Sequence, residues 1–165
     1  MKVLVTIGSM VEKKFTRLFR TIDELCEEGV LEGENVVAQV GFDQYDSKFY
    51  KCFDMIPDEE FKRIISESDL IIAHAGTGTV ISSIKQGKKV IIFPRMAKYD
   101  EHYDDHQLEL AELFTRQGYV LKASNKEELR NCIQTIDQFV PVPFKSNNAH
   151  MNKIIMDFID SGRKS

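Results

Sequence analysis

The sequence predicts a parallel α/β sheet covered by helices on both faces. Short apolar runs rich in β-branched residues alternate along the chain with segments in which apolar residues recur at helical spacing. The runs are apolar almost throughout, as strands buried on both faces are, and this alternation is typical of parallel sheets. Strands are predicted at 2–7, 36–40, about 50–56, 70–73, 90–93 and 119–121.

Helices are predicted between these strands. The first begins near Phe15 and ends at Gly29, a residue type that commonly follows the last helical turn. Pro57 and the three acidic residues after it mark the start of the second, because proline suits a first turn and carboxylates favour the positive end of the helix dipole. Ser124 and Glu127 predict a capping box for the fifth. The other helices are predicted at about 78–86, 104–117 and 146–162.

Composition places the whole chain, residues 1–165, in one domain able to bury its own core. Lys and Arg number 22 against 26 Asp and Glu, with no basic stripe, so nucleic-acid binding is not expected as the main task. No apolar run approaches the roughly 20 residues of a membrane span. The cysteines Cys26, Cys52 and Cys132 form no Cys-x-x-Cys pair and predict reduced thiols in a cytosolic protein.

The last predicted helix leaves two interpretations open. Its apolar stripe packs on this domain, as in most such helices, or it docks on a partner protein. The stripe consists of Met151, Ile154, Ile155, Phe158 and Ile159.

Ligands of parallel sheets bind at the carboxyl ends of the strands, which points to the segments after Ile7, Ala73 and Phe93. The second of these reads His74-Ala75-Gly76-Thr77-Gly78-Thr79 and leads from a strand into a helix. Glycines let a phosphate approach the backbone, and the first turn of a helix offers unpaired N–H groups. The segment therefore predicts a phosphate site, with a tight capped turn as the alternative. Gly8, after the first strand, completes the same edge.

The segment after the fifth strand, residues 94–107, is rich in polar side chains. Asp105, His106 and Gln107 open a helix there and suit hydrogen bonds to sugar hydroxyls. Two other interpretations stay open. One is a metal site formed by His102, Asp105 and His106, for which the spacing fixes no third ligand. The other is a solvated loop at a helix start.

Together these motifs resemble the C-terminal, nucleotide-sugar-binding half of glycosyltransferase family 28. That family includes the MurG enzymes and the catalytic subunit of the split eukaryotic transferase that adds the second N-acetylglucosamine to dolichol. The chain is also similar to the small subunits of bacterial capsule and exopolysaccharide transferases. The residues that carry the resemblance are His74 to Thr79, Gly87 to Pro94, Arg95, Glu101, His102 and Asp105 to Ala111.

The resemblance implies a Rossmann-like domain equivalent to the C-terminal half of a GT-B glycosyltransferase. It implies a UDP-sugar-dependent, inverting hexosyltransferase of two chains, in which this chain holds the UDP-sugar. The expected partner is a membrane-anchored, acceptor-binding subunit that delivers a polyprenyl-diphosphate-linked saccharide. The expected location is therefore cytoplasmic, at the inner face of the membrane through the partner. No metal or other cofactor is expected, because helix N–H groups would stabilise the leaving diphosphate.

The resemblance also implies roles for single residues. His74 and His102 are candidates for the general base, which could also come from the partner. Where relatives have a glutamate that grips the ribose, this chain has Ser82, so either its hydroxyl or another group must serve. The donor-binding residues implied are Gly8, His74, Gly76, Thr77, Gly78, Thr79, Ser82, Arg95, Glu101, Asp105, His106 and Gln107.

Two further hypotheses stay open. A non-catalytic subunit that binds a UDP-sugar or acts as a scaffold would have the same fold. A dinucleotide-dependent oxidoreductase is disfavoured for two reasons. Ile81 stands where its fingerprint has a third glycine, and a ribose-binding acid is missing after the second strand.

Overall fold

A computed structural model describes residues 1–144, 153, 155–157 and 160. Six parallel strands form one sheet in the order β3-β2-β1-β4-β5-β6. This confirms the predicted Rossmann-like architecture. The strands are β1 (Val3–Thr6), β2 (Val36–Gln39), β3 (Lys51–Phe53), β4 (Leu70–Ala73), β5 (Lys89–Ile92) and β6 (Leu121–Lys122).

Within residues 1–144, four α-helices connect strands, a fifth follows β6, and together they cover both faces of the sheet. Buried residues of α1 and α5 lie in one core cluster, and those of α2, α3 and α4 lie in the other. The helices are α1 (Thr16–Glu27), α2 (Asp58–Glu67), α3 (Thr77–Lys85), α4 (His106–Arg116) and α5 (Lys126–Gln134).

The two cores follow from the alternation of side chains along each strand. In β4, Leu70 and Ile72 lie in the α1/α5 core, whereas Ile71 lies in the α2/α3/α4 core. In β5, Ile91 lies in the first core and Val90 in the second. Because both faces are covered, the central strands need apolar residues at every position, which explains the continuous runs in the sequence.

The sheet order brings three loops together at its carboxyl edge. Strand β1 pairs with β4, and β4 pairs with β5, so the segments that follow Thr6, Ala73 and Ile92 are neighbours. Successive strands are also added in opposite directions from β1, since β2 and β3 lie on one side of it and β4, β5 and β6 on the other. Such a switch point is where open α/β sheets bind ligands.

Two local predictions needed correction. Asn125, not Ser124, caps α5: its side chain accepts a hydrogen bond from the Glu128 amide at 2.9 Å. Glu128 in turn accepts from the Ser124 amide at 2.7 Å, so the reciprocal box exists one residue later than predicted. Strand β6 begins at Leu121, later than the predicted start at Tyr119. Tyr119 is buried just before the strand.

The last predicted helix lies mostly outside the described residues. Of its predicted stripe, Met151, Ile154, Phe158 and Ile159 belong to that undescribed part. Ile155 is described, and it is buried in the α2/α3/α4 core. A search of the described residues finds no helix long and apolar enough to cross a membrane.

The cap of α5 gives a direct test of the corrected assignment. We expect Asn125→Ala to lower the free energy of unfolding by about 1 kcal/mol, because the Glu128 amide loses its acceptor. Ser124→Ala should change it by less than about 0.5 kcal/mol, since only the Ser124 backbone takes part. Urea unfolding of both variants measures the difference, and equal losses would contradict the assignment.

Candidate donor-binding site

The ring of His74 is packed between two glycines at the carboxyl edge. A Cβ added to Gly8 would lie 2.2 Å from His74 Nε2, and one added to Gly76 would lie 1.8 Å from His74 Cε1. Gly8 also has a φ of +72°, which other residues rarely adopt. Both glycines are therefore required by the histidine, so their presence in the motif does not by itself show that a ligand approaches them.

The hydrogen bonding of His74 fixes its protonation. Its Nδ1 accepts from the Gly76 amide at 2.7 Å, which places the proton of the neutral ring on Nε2. Burial, together with the charges of Arg95 and His102, lowers the pKa of His74 to about 3. A ring that is neutral near pH 7, with its free nitrogen protonated, is a hydrogen-bond donor. His74 is thus poorly suited to the predicted alternative role of general base.

The first turn of α3 has the features of an anion site. The amide of Gly76 is satisfied by His74, whereas those of Thr77, Gly78 and Thr79 have no partner among the described residues. Unlike Gly76, Gly78 is exposed, and an added Cβ would meet nothing within 4 Å. The space over Gly78 is therefore open to a ligand. Three of the predicted phosphate-binding residues lie together here.

Gln107 joins the two loops that flank the site. Its Oε1 accepts from the Ala75 amide at 3.3 Å and from the Arg95 amide at 3.2 Å. The Nε2 group has no partner among the described residues. Its two donors are free to bind a ligand, and the contact to the donor stays a prediction. The fold also depends on this side chain, because both of the amides it accepts from are buried.

Arg95 does not take part in donor binding, which corrects the sequence prediction. The residue is 0% exposed, and its guanidinium donates to backbone carbonyls instead of facing the edge. Burial lowers its pKa, opposed by Asp43 and Glu101. Nε is the one fully buried side-chain nitrogen or oxygen without a partner among the described residues. The acceptors are the carbonyl oxygens of Lys13 at 2.8 Å, Glu101 at 3.2 Å and Ile7 at 3.2 Å.

Glu101 also has a structural role in place of the predicted donor contact. It is buried, and both of its carboxylate oxygens accept from Arg17, at 2.7 and 2.8 Å. Arg17 donates further to the carbonyl oxygens of Pro94 and Ser124, at 2.9 and 3.0 Å. Sequence reasoning missed Arg17, since it lies in the first turns of α1 and belongs to no motif. Its four hydrogen bonds fix the loop that leads to α4.

The remaining predicted side chains lie around the start of α4. Asp105 accepts from the Ala97 amide at 3.1 Å and His106 donates its amide to Asp104 at 3.0 Å, so both residues order the loop. His102 Nδ1 lies 3.0 Å from a carboxylate oxygen of Asp104. The charge of His102 is one of the causes that lower the pKa of His74.

Ser82 lies beside the phosphate site in a hollow between α2 and α3. The hollow has a volume of about 360 Å³ and is also lined by Gly78 and Asp58. A larger hollow of about 620 Å³ lies between α1 and the turn at Tyr99, away from α3 and lined largely by paired charges. We therefore place the site at the smaller hollow, which adjoins the unpaired amides.

Two alternatives from the sequence, a metal site and a dinucleotide-dependent oxidoreductase, can be compared with this geometry. In the described part of the chain, no three His, Cys, Asp or Glu side chains come together as metal ligands. An acid does follow β2, contrary to the sequence argument: Asp43 is buried and accepts from the Phe15 amide at 2.5 Å. Because its carboxylate faces inward, it is not placed to hold the ribose of a dinucleotide.

A family model decides the relationship. The model for the glycosyltransferase family 28 C-terminal domain matches residues 2–160. The chain belongs to this family. The sheet order alone could not show it, because dinucleotide-binding domains share the order 3-2-1-4-5-6.

Relatives of this family 28 domain include subunits of a named transferase. The UDP-N-acetylglucosamine transferase subunit ALG13 of Debaryomyces hansenii is 28% identical over 95 residues, which cover 56% of this chain and 45% of that protein. The protein of the same name from Candida albicans is 40% identical over 65 residues, covering 39% and 21%. The matched region thus spans less than half the length of either relative.

Solved structures support the same fold. A solution structure of ALG13 superposes with a TM-score of 0.61 at 22% identity, covering 93% of this chain and 94% of that one. MurG of Acinetobacter baumannii gives 0.51 at 18% identity, covering 84% of this chain but only 42% of MurG. The family 28 domain therefore corresponds to one part of a larger GT-B enzyme.

The two motif glycines should respond oppositely to the same substitution. We expect Gly76→Ala to destabilise the fold by about 1–3 kcal/mol, because the new Cβ overlaps the His74 ring. Gly78→Ala should stabilise it by about 0.5–1 kcal/mol, since the helix has room for the methyl group. Chemical unfolding measures both. A destabilising Gly78→Ala would contradict the open space described over that residue.

The buried His74 should make the fold sensitive to acid. Its pKa is about 3 when folded against an ordinary value of 6.5, so the unfolded chain binds one more proton between these values. Stability is then complete above about pH 6.5 and declines as the pH falls towards 3. We expect wild type to lose about 1–2 kcal/mol more than His74→Asn between pH 7 and pH 5. Urea melts at both pH values measure this, and parallel losses would contradict the neutral buried histidine.

Proposed function

We propose that this chain is the UDP-sugar-binding, catalytic subunit of a two-chain inverting glycosyltransferase. The observation that carries the proposal is the first turn of α3, where the amides of Thr77, Gly78 and Thr79 are unpaired and the space over Gly78 is open. In a family 28 domain, this turn would receive the diphosphate of a nucleotide sugar. His74 Nε2–H and Gln107 Nε2 add donors on either side.

The main task of the protein in this reaction is to stabilise charge, since no covalent bond to the protein is formed. An acceptor hydroxyl oxygen forms a bond to the anomeric carbon, the bond from that carbon to the diphosphate oxygen breaks, and the hydroxyl proton passes to a base. Negative charge grows on the leaving diphosphate, so fixed N–H donors at α3 bind the transition state more tightly than the ground state. This mechanism uses no metal.

The general base is His102 or a residue of the partner. His74 is the weaker candidate, because its pKa of about 3 makes it a weak base. His102 lies nearby and retains 17% exposure of its side chain. A base supplied by the partner would also fit the non-catalytic alternative, in which this chain holds the donor for chemistry performed elsewhere.

A partner is supported by the names of the curated relatives, which are subunits of a transferase. In fold, this chain corresponds to 42% of MurG and 33% of CalG4, the calicheamicin glycosyltransferase. We propose that a membrane-anchored subunit completes the enzyme and presents a polyprenyl-diphosphate-linked saccharide at the cytoplasmic face. The names of the curated relatives suggest N-acetylglucosamine as the sugar, and the resemblance to capsule and exopolysaccharide subunits suggests another hexose.

Thermal unfolding with nucleotide ligands tests donor binding. UDP and one UDP-sugar, at about 100 times their dissociation constants, should stabilise the chain by about 2.7 kcal/mol, whereas NAD should not. The sugar that adds most to the shift identifies the donor. Gly78→Ala should reduce the UDP shift without loss of stability, and Gln86→Ala, at the far end of α3, should keep it.

Stabilisation by NAD but not by UDP would contradict the proposal. An assay of the co-expressed pair then separates the two transferase hypotheses. Transfer that is unaffected by EDTA supports the metal-free mechanism. Loss of transfer with His102→Ala, with UDP binding retained, would assign the base to this chain.

A further inference from the structure

Arg17 reaches from α1 to the backbone that precedes α4. Its Nη2 donates to the Pro94 carbonyl oxygen at 2.9 Å. The ring centroids of Phe93 and Tyr99 lie 4.5 and 4.8 Å from its Cζ. Together with the two hydrogen bonds to the Glu101 carboxylate, these contacts hold the guanidinium in one place.

The Pro94 carbonyl belongs to the same peptide unit as the Arg95 amide. That amide donates to Gln107 Oε1 at 3.2 Å, on the other side of the unit. Because the peptide unit is planar, fixing its carbonyl oxygen also fixes the direction of its N–H. A continuous chain of hydrogen bonds therefore leads from the Arg17 guanidinium through one peptide unit to the Gln107 side chain.

This chain of hydrogen bonds decides which end of Gln107 faces a ligand. Oε1 must face the amides of Arg95 and Ala75, because only the oxygen of the side chain can accept from them. Nε2 is then turned away from both amides, and it has no partner among the described residues. Rotation of the peptide between Pro94 and Arg95 would remove one of the two hydrogen bonds that fix this orientation.

A cation at the start of such a chain also strengthens the donor at its end. Hydrogen bonds in series polarise one another, and a low local dielectric increases the effect. The side chains of Arg17 and Glu101 are only 22% and 5% exposed, so this part of the chain is largely shielded from water. Glu101 reduces the effective charge of Arg17, but it does not interrupt the path from Arg17 to Gln107.

We propose that Arg17 is a positioning residue that orients and polarises Gln107 as a hydrogen-bond donor, through the peptide between Pro94 and Arg95. The inference rests on the proposed function, because it takes a nucleotide sugar to be the molecule that accepts from Gln107 Nε2. Arg17 makes no contact with that ligand. Its charge contributes to the site from a distance, by way of two amide groups.

The test is a double-mutant cycle, measured by calorimetry with UDP-N-acetylglucosamine and UDP-glucose. The UDP-sugar that wild type binds more tightly is used throughout. Arg17→Lys loses the planar fork that reaches Glu101 and Pro94 at once, so we expect it to weaken binding about threefold to tenfold. Gln107→Glu keeps an oxygen for the two amides but loses the donors, so we expect a loss of at least about tenfold.

The cycle compares Arg17→Lys in two backgrounds. When Gln107→Glu is already present, Arg17→Lys should change the affinity by less than about twofold, because the donor that Arg17 orients is gone. A purely structural role would instead produce the same loss in both backgrounds. Arg130→Lys is the matched control and should bind as wild type does, since Arg130 also links a carboxylate of α1, that of Glu28, and makes none of its hydrogen bonds to residues 94–107.

A second variant keeps the test valid where Arg17→Lys does not fold. Arg17→Met combined with Glu101→Met removes the ion pair without leaving a buried charge, and such replacements are often neutral for stability. It should weaken binding at least as much as Arg17→Lys, and only when Gln107 is present. Thermal unfolding without ligand shows which variants are folded at the assay temperature.

The outcomes separate this inference from the proposed function. If wild type binds a UDP-sugar but Arg17→Lys weakens binding equally in both backgrounds, or in neither, Arg17 does not act through Gln107, and the proposed function stands. Unchanged binding by Gln107→Glu would overturn the inference in the same way. A wild-type chain that binds neither UDP-sugar overturns the proposed function and this inference together.

Discussion

The arrangement of the carboxyl edge depends on one buried cation. Arg95 is enclosed completely, and its guanidinium donates to carbonyl oxygens in the loops after β1 and β5. Burying a charge costs free energy unless it is paired and hydrogen-bonded, and here the Nε donor is left without a partner. The nearby carboxylates Asp43 and Glu101 offset part of that cost. The site loops are therefore held by an interaction that only the complete fold can stabilise.

Hydrogen bonds connect Arg95 to the residues that face a ligand. The Arg95 amide donates to Gln107, and the same oxygen of Gln107 accepts from the Ala75 amide next to the phosphate turn. One end of Gln107 is thereby fixed, and the other remains available to a ligand. Arg17 of α1 also holds the loop between β5 and α4 in place, because it donates to both carboxylate oxygens of Glu101. Preorganised donors of this kind can stabilise developing charge without paying for reorganisation during the reaction.

Periodicity was enough to predict the sheet and its helices, because a doubly covered sheet requires apolar residues at consecutive strand positions. Local motifs also singled out the first turn of α3, with its unpaired amides, and Gln107. The roles of Arg95 and Glu101 could not be predicted, since a charged residue in a polar loop has the same sequence pattern whether it points inward or outward. Arg17 lies in a helix far from every motif, and only the tertiary packing brings it to the edge.

Among the described residues, three cations of the edge are already paired within the protein. Arg95 and Arg17 are occupied by carbonyls and a carboxylate, and Lys13 is paired with Asp100. With a net charge of −4, the chain also offers no general attraction for an anion. Under the proposed function, neutral donors, namely the α3 amides and the uncharged His74, then add to the stabilisation of the diphosphate. Such donors favour the leaving group only when water is excluded, because their strength depends on a low local dielectric. An open half-site cannot exclude water, so a covering subunit would complete the electrostatics of the reaction as well as supply the acceptor.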